Sequence, residues 1–272
     1  MKNAIINNII STMTGLTKLS TDVVGDVPDK TATMAKSVCG SLLFSNISAV
    51  AVSLCVLFIL IHLVEETMQG KGDPEYIIKS IGFYCVICAI IINMDTVTTA
   101  LIDAFKNIMD VISDNGDNLI KIIQNGNGTQ AATFDPETMR EELKKENIMV
   151  LIFDMLLYWI FGSLGTIIIS VVAKVVVFTL ELTILVETFI LPLALAQLPE
   201  GGWNGIGGKA IRTYFASWLA FGVLSIVLSC YQILLVGNFK GAIDFIIALF
   251  AATFAGIGRG MKATNVAKEI VT

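Results

Sequence analysis

Apolar residues in this chain are gathered into long runs separated by short polar segments. Ser37–Val64 contain no Asp, Glu, Lys or Arg over 28 positions, Thr213–Phe239 contain none over 27, and Met155–Ala173 contain none over 19. About 20 apolar residues are enough for a helix to cross the hydrocarbon core of a bilayer. The pattern therefore predicts an all-α, polytopic integral membrane protein.

About six transmembrane helices are predicted from these runs and from the polar residues between them. The predicted spans are Ser45–Val64, Ile77–Leu101, 150–172, 175–196, 213–236 and 241–258. The boundary between the third and fourth spans stays open, because that stretch contains no clear turn. Gly162–Gly165 and Lys174 are the two candidate breaks.

The polar segments define the rest of the organisation. In residues 1–36, Ile6, Ile9 and Ile10 recur at helical spacing and predict an N-terminal amphipathic helix, which lies on a membrane face or a partner, or packs on the spans. The remaining divisions are a transmembrane hairpin at 37–102, a polar and largely helical loop at 103–149, a transmembrane bundle at 150–258 and a basic tail at 259–272. Within the loop, Asp135-Pro136-Glu137 is typical of a helix start.

Composition agrees with the membrane class and excludes several others. The chain has 272 residues, of which 55% are hydrophobic and 15% are charged, whereas soluble domains carry about 25% charged residues. The net charge of −5 argues against a basic surface that binds duplex nucleic acid. Five cysteines, an odd number lying in or beside apolar runs, do not make a disulfide framework.

The distribution of basic residues predicts an orientation. With six spans, 14 of the 18 Lys and Arg residues fall on one side of the membrane and 4 on the other. Since cytoplasmic loops carry the excess of Lys and Arg, both termini and the polar loop are predicted to be cytoplasmic. The count loses its meaning if 150–198 crosses the membrane only once.

Carboxylates within the predicted spans are the first candidates for function. Asp95, Glu181 and Glu187 lie in or beside spans, where a charged side chain is costly and often marks a hydrated pathway, a proton relay or a subunit interface. Glu181 and Glu187 are six residues apart and thus about 120° apart around a helix. Packing between subunits is favoured over a relay as the explanation of this pair.

A glycine-rich segment follows the fourth span, from Pro199 to Gly208. It lacks the spacing of a phosphate-binding loop, because Lys209 is followed by alanine and no strand precedes it. Trp203 in this loop is predicted to anchor a membrane interface, and the same interpretation extends to Trp159 and Trp218.

Other local patterns carry weaker expectations. Ala252, Gly256 and Gly260 form a small-residue pattern that permits close helix packing. His62, the single histidine, has no Cys or acidic residue at metal-ligand spacing and cannot complete a catalytic triad. No enzyme activity, cofactor or metal is therefore expected.

Several of these residues resemble a known family. They are Leu180-Glu181-Leu182, Leu191-Pro192-Leu193-Ala194, Trp203 with Ile206-Gly207, and the following helix with Tyr214, Ala220 and Tyr231. This order resembles TrbL-type polytopic inner-membrane subunits of conjugative type IV secretion systems, in particular those on mobile elements of Gram-positive bacteria. The resemblance covers most of the chain as a pattern. The family often has an arginine shortly before the acidic residue, where this chain has Phe178-Thr179.

The resemblance implies a channel or scaffold subunit in the bacterial cytoplasmic membrane. Its partners would be further copies of itself, other secretion-channel subunits, separate transfer ATPases and membrane lipid, with a single-stranded DNA–relaxase substrate passing transiently. Asp95, Glu181, Glu187, Pro192 and Trp203 would line the lumen or the subunit interface. Two alternatives stay open, which are a small-solute or proton-coupled transporter with a carboxylate relay and a phage or toxin-type pore.

Overall fold

The computed structural model describes residues 2–17, 27–68, 74–126 and 136–237, and these residues are helical almost throughout. The expected all-α class is confirmed for this part of the chain. The helices are α1 Lys2–Thr17, α2 Val27–Cys39, α3 Leu42–Met68, α4 Pro74–Ile92, α5 Met94–Gly126, α6 Pro136–Lys145, α7 Ile148–Leu157, a π-helical turn Tyr158–Gly162, α8 Ser163–Ala196, α9 Leu198–Gly201, a 3₁₀ turn Gly202–Asn204 and α10 Ile206–Gly237.

Two described helical segments are long and apolar enough to cross a bilayer, Leu42–Met68 and Ser170–Ala196. The pair Ile77–Ile92 and Met94–Val111 makes a third candidate if both parts are counted as one bent span. The membrane character expected from sequence is supported, whereas six spans are not confirmed. The predicted sixth span, the packing residues and the basic tail lie outside the described residues (241–258; Ala252, Gly256 and Gly260; 259–272).

The surface of α3 agrees with a lipid environment. Its exposed side chains are large and aliphatic along most of the helix, including Leu43, Val50, Val56, Leu57, Leu60, Ile61 and Val64. Water does not favour a continuous apolar surface of this length on a soluble protein. The helix begins at a serine cap, since the Phe44 backbone N–H donates to Ser41 Oγ at 3.2 Å.

The predicted second span, Ile77–Leu101, is not straight. The chain bends by 76° at Asn93, between α4 and α5. The Asn93 side chain donates through Nδ2 to the Ala89 carbonyl at 2.9 Å. Asp95 occupies the first turn of α5, where the positive end of the helix dipole stabilises a carboxylate. An asparagine at the bend and an acidic first turn thus start a new helix within the predicted span.

The stretch predicted to hold spans three and four is continuous in the structure. The α8 helix runs through Lys174 without a break, and Gly162–Gly165 contain only the change from the π-helical turn to the α-helix. Gly162 ends a single π turn, which widens the helix but does not reverse the chain. Two spans at 150–172 and 175–196 are therefore not separated by a turn, and the 14-to-4 charge count loses its basis.

The described chain forms two compact units. The first unit contains the described residues of Met1–Val27, Met109–Thr179 and Phe221–Ala263. The second unit contains those of Pro28–Ile108 and Leu180–Ala220. In the first unit, α1 buries Ile5, Ile6, Ile9 and Ile10. It packs on α6, α7 and the π-helical turn, so the amphipathic helix predicted from sequence packs on the protein.

Polar contacts fix α1 to the end of α6. Lys2 Nζ donates to the carbonyls of Lys144 at 2.6 Å and Glu146 at 2.8 Å, and Arg140 donates to Asn7 Oδ1 at 2.6 Å. A lysine at this place satisfies carbonyls that have no partner within the helix and complements the negative end of its dipole. The predicted helix start at Pro136 is confirmed, since α6 begins there.

We expect Lys2→Ala to loosen the chain around Lys144. The loss of these two exposed hydrogen bonds should cost about 1 kcal/mol, a factor of about five in the population of the open state. Limited trypsin digestion at Lys144 and Lys145 should accelerate by that factor. Asn8→Ala, at an exposed position of the same helix, is the control and should leave the digestion rate unchanged.

In the second unit, α3 and α4 form an antiparallel hairpin, and α2 and α5 lie at its base. The α2 helix joins α3 through Gly40 and Ser41, and α5 leaves α4 at the bend. Two ion pairs connect α2 to α5, Lys36 with Asp103 and Lys106 with Asp29, the latter at 2.7 Å. Their half-exposed side chains contribute at most about 1 kcal/mol each, so these pairs orient the two helices more than they stabilise them.

Candidate functional site

A tightly built turn joins α8 to α10 in the second unit. It consists of α9, the 3₁₀ turn and Gly205, and Gly202 adopts the left-handed backbone conformation with φ of +58°. A Cβ added to Gly207 would lie 2.2 Å from the Ala194 carbonyl oxygen, and one added to Gly208 would lie 2.1 Å from the Trp203 carbonyl oxygen. These glycines allow the backbones of the two helices and the turn to touch.

A cavity of about 190 Å³ lies beside this turn, between α8 and α10. Its lining residues are Glu187, Ile190, Leu191 and Ala194 from α8 and Ala210 and Thr213 from α10. The Glu187 Oε2 atom is buried, and the Thr213 hydroxyl donates to the Lys209 carbonyl at 2.9 Å. The cavity thus combines one carboxylate and one hydroxyl with aliphatic walls, the chemistry of a small binding site.

The two carboxylates of α8 lie at opposite edges of its buried face. Buried side chains at Leu180, Ile184 and Leu191 form the middle of that face, and Glu181 and Glu187 flank it. Glu181 accepts a hydrogen bond from Thr31 Oγ1 of α2 at 3.4 Å, whereas Glu187 faces α10 across the cavity. The 120° separation predicted from sequence therefore directs the two groups towards different neighbouring helices.

Asp95 does not join these two glutamates. It lies exposed in the first turn of α5, accepts a hydrogen bond from the Thr96 hydroxyl at 3.4 Å and acts electrostatically on Cys39 at the end of α2. The structure places Glu181 and Glu187 on one helix face and Asp95 at the bend.

The Cys39 thiol lies at the base of the hairpin, and its surroundings there change its pKa. Burial raises the pKa of Cys39 from 9.0 to about 11, and the negative charge of Asp95 adds to the rise. The folded state holds this proton more tightly than the unfolded state, so the resulting stability is present below pH 9 and is lost as pH rises towards 11.

We expect Asp95→Asn to lower the pKa of Cys39, because it removes one of the two causes of the rise. The measurement is an ultraviolet titration of the thiolate in a variant that retains Cys39 as its only cysteine. Asp110→Asn, on the same helix, is the matched control and should leave the titration curve in place. Equal curves for Asp95→Asn and the parent would contradict this arrangement.

The other predicted site residues are divided between the surface and the interior. Pro192 is buried within α8, where it removes the backbone N–H that would bond the Thr188 carbonyl. Trp203 is 55% exposed and Trp159 is 67% exposed, which fits interface anchors. Trp218 is fully buried, so its predicted role as an anchor is wrong.

Trp218 belongs to an aromatic cluster that the sequence analysis did not identify. Its ring stacks on Phe105 of α5 with centroids 5.7 Å apart and planes 4° apart, and Tyr214 meets Phe105 edge-on at 6.3 Å. Tyr214 and Trp218 are four residues apart and so share a face of α10. The available signal was this four-residue spacing of two aromatic side chains.

Metal ligands do not cluster in the part of the chain that the structure describes. There, no group of three or more His, Cys, Asp or Glu side chains is placed to hold an ion. His62 lies beside Tyr84 instead, with ring centroids 6.1 Å apart.

No family model, no curated protein and no solved structure matches this chain. The similarity to TrbL-type subunits consequently rests on the residues quoted from the sequence.

Proposed function

We propose that this protein is an oligomeric membrane subunit, a channel or scaffold component similar to the TrbL-type subunits of conjugative type IV secretion systems. In this role it assists the passage of a DNA–protein substrate across the bacterial cytoplasmic membrane. Separate transfer ATPases supply the energy, and other channel subunits and further copies of the chain are its partners.

The outer face of α8 is the observation that carries the proposal. Its exposed side chains form an apolar stripe of Val175, Phe178, Leu182, Val186 and Ile190. At 1.5 Å rise per residue, this stripe is about 22 Å long, which approaches the thickness of the hydrocarbon core. Glu181 and Glu187 lie at the edges of the opposite face, and the one polar side chain within the stripe, Thr179, donates its hydroxyl to the Val175 carbonyl at 2.8 Å, so no charged group interrupts the surface presented to lipid or to a second copy.

The contact between α1 and α6 supports the proposed topology. Lys2 bonds the end of α6, so the N-terminus and the polar segment around Lys144 share one side of the membrane. In the proposal that side is the cytoplasm, and the C-terminus lies there as well. Labelling of Asn147→Cys by an impermeant thiol reagent added outside intact cells would contradict this placement.

Deletion of the gene should abolish DNA transfer in a conjugation assay, and a plasmid copy should restore it. The purified protein should remain oligomeric in mild detergent. Leu182→Arg places a charge in the middle of the apolar stripe and should disrupt the oligomer, since a buried unpaired charge costs several kcal/mol. Lys145→Arg, at an exposed position outside the stripe, is the matched control. A monomeric protein that is dispensable for transfer would overturn the proposal.

A small-solute transporter is the second candidate function, and the cavity beside Glu187 favours it. A buried carboxylate oxygen among aliphatic walls is suited to bind a proton or a small cationic solute. Under this alternative, Glu187→Gln abolishes solute flux into proteoliposomes. Under the channel proposal, the same variant retains its oligomer and supports DNA transfer.

A further inference from the structure

The level of the bend at Asn93 follows from one contact within the α3–α4 hairpin. The Cys55 thiol of α3 donates to the Tyr84 carbonyl of α4 at 3.9 Å, so these two residues lie at the same level of the antiparallel pair. Asn46 and Asn93 each lie nine positions from this contact towards the base of the hairpin. Since both helices rise about 1.5 Å per residue, the two asparagines lie at nearly the same level.

This level coincides with one end of the apolar part of α3. Residues 47–64 contain no charged side chain and rise about 27 Å, close to the thickness of the hydrocarbon core. Asn46 bounds this part on the side of the bend, and Glu65 bounds it on the other side. When α3 spans the bilayer, the bend at Asn93 therefore lies at the boundary between the acyl chains and the headgroups.

The bend directs α5 along the membrane plane. The axes of the helices on its two sides differ by 76°. Because α4 packs along α3, α5 leaves nearly at right angles to the direction in which the hairpin crosses the bilayer. From Met94 to Ile108, α5 is about 21 Å long, yet at this angle it advances only about 5 Å along the axis of α4. This part of α5 therefore stays at the boundary.

One face of α5 is buried in the protein, and the flank on one side of it is charged. Thr98, Ile102 and Phe105 form the middle of the buried face. Asp95 and Asp103 lie on the charged flank, where both are exposed and Asp103 makes one of the ion pairs with α2. Because a charged side chain in hydrocarbon is costly, this flank faces water or headgroups.

The flank on the other side of the buried face is apolar. It consists of Val97, Leu101, Ala104 and Ile108, which lie within about 60° of one another at 100° per residue. Val97 and Leu101 are half-buried, Ala104 is exposed and Ile108 is 45% exposed. A helix in the membrane plane with one charged and one apolar flank has the properties of an interfacial helix. The exposed aliphatic surface of α3 begins at the same level, so the lipid around α3 also reaches this flank.

We propose that residues 94–108 of α5 form an interfacial helix whose apolar flank binds the lipid acyl chains next to the headgroups. In this arrangement α4 crosses the bilayer alone, and α5 is not the second half of a bent span. The helix fixes the depth of the hairpin, because a shift in either direction moves the aspartates into hydrocarbon or the apolar flank into water. This inference goes beyond the secretion role and does not depend on it, since it requires only that the α3–α4 hairpin spans the bilayer.

Spin labelling tests the proposal in a full-length chain whose five native cysteines are replaced by alanine, reconstituted in liposomes. A nitroxide at Ile108→Cys should be accessible to dissolved oxygen and should lie about 5–10 Å into the boundary between headgroups and acyl chains. Asp110→Cys is the matched control, exposed on the other side of the same helix, and a water-soluble nickel complex should reach its label several-fold more strongly. Leu57→Cys, exposed in the middle of residues 47–64, gives the deep reference.

Three outcomes at Ile108 overturn the proposal. Access of the nickel complex equal to that at Asp110 shows that water covers the flank. Exclusion of both oxygen and nickel shows that protein covers it, for example a second copy of the chain. A depth equal to that of Leu57 shows that α4 and α5 form one bent span.

Photoactivatable lipids give an independent measurement on the unmodified protein in nanodiscs. A lipid with its diazirine next to the headgroup should label residues 97–108, whereas one with the diazirine at the end of the acyl chain should label the middle of α3 and spare 97–108. Labelling of 97–108 by the second lipid alone overturns the proposal even where the cysteine variants fail to fold. None of these measurements uses DNA transfer, so failure of the interfacial helix and failure of the secretion role are distinguished.

Discussion

Replacing Gly207 with alanine is expected to disrupt the junction between α8 and α10 and to remove the folded protein from detergent extracts. The new Cβ would meet the Ala194 carbonyl oxygen at 2.2 Å and the Leu198 nitrogen at 2.9 Å. Both are backbone atoms, which cannot rotate away as the end of a side chain can. The two helices must therefore separate, at a cost of about 3 kcal/mol or more.

Gly208→Ala should behave in the same way, because its Cβ would lie 2.1 Å from the Trp203 carbonyl oxygen. Gly82→Ala is the matched control. Gly82 lies inside α4 and a Cβ there meets nothing within 4 Å, so alanine should be neutral or should stabilise the helix by about 0.5–1 kcal/mol. Thermal unfolding followed by fluorescence-detected size exclusion measures all three variants. Similar melting temperatures for Gly207→Ala and Gly82→Ala would contradict the close approach.

Replacing Trp218 with alanine is the second change with a large expected effect. Trp218 is fully buried, stacks on Phe105 and lies beside Tyr214. Its removal leaves a cavity that the surrounding helices fill only in part, and such truncations cost about 3–5 kcal/mol. The loss acts through packing, which holds helices together in lipid as well as in water.

Trp159→Ala serves as the control for this experiment, since the Trp159 side chain is mostly exposed. Its effect on the free energy of unfolding should stay within about 0.5 kcal/mol. Phe105→Ala should destabilise the protein nearly as much as Trp218→Ala, and the double variant should cost less than the sum of the two because the rings share one contact. An additive double variant would show that the rings do not interact.

The sequence predicts those features that depend on composition along the chain. The apolar run of α3, the start of α6 at Pro136 and the amphipathic pattern of α1 all appear in the structure. The separation of Glu181 and Glu187 around one helix also follows from residue number alone. In each case, local sequence determines the feature and the rest of the fold leaves it unchanged.

Features that depend on which face of an apolar helix is buried could not be predicted. Trp218 and Trp203 both lie among apolar or glycine-rich neighbours, and a helix that is apolar all round carries no signal that separates its lipid side from its protein side. The bend at Asn93 was missed because helical periodicity continues on both sides of it. Lys174, taken as a candidate break, is an exposed residue within a continuous helix, where its long side chain can reach a membrane surface.

The contact between Lys2 and the end of α6 also sets an order of events during synthesis. The residues that receive the Lys2 ammonium group follow it by 142 and 144 positions. At about 5–20 residues per second, the ribosome needs on the order of ten seconds to produce them. For that time α6, α7 and the π-helical turn, on which the isoleucine face of α1 packs, are not yet complete, and the membrane surface is an apolar phase that can cover this face. The hairpin of α3 and α4 is thus complete before the N-terminus reaches its final position.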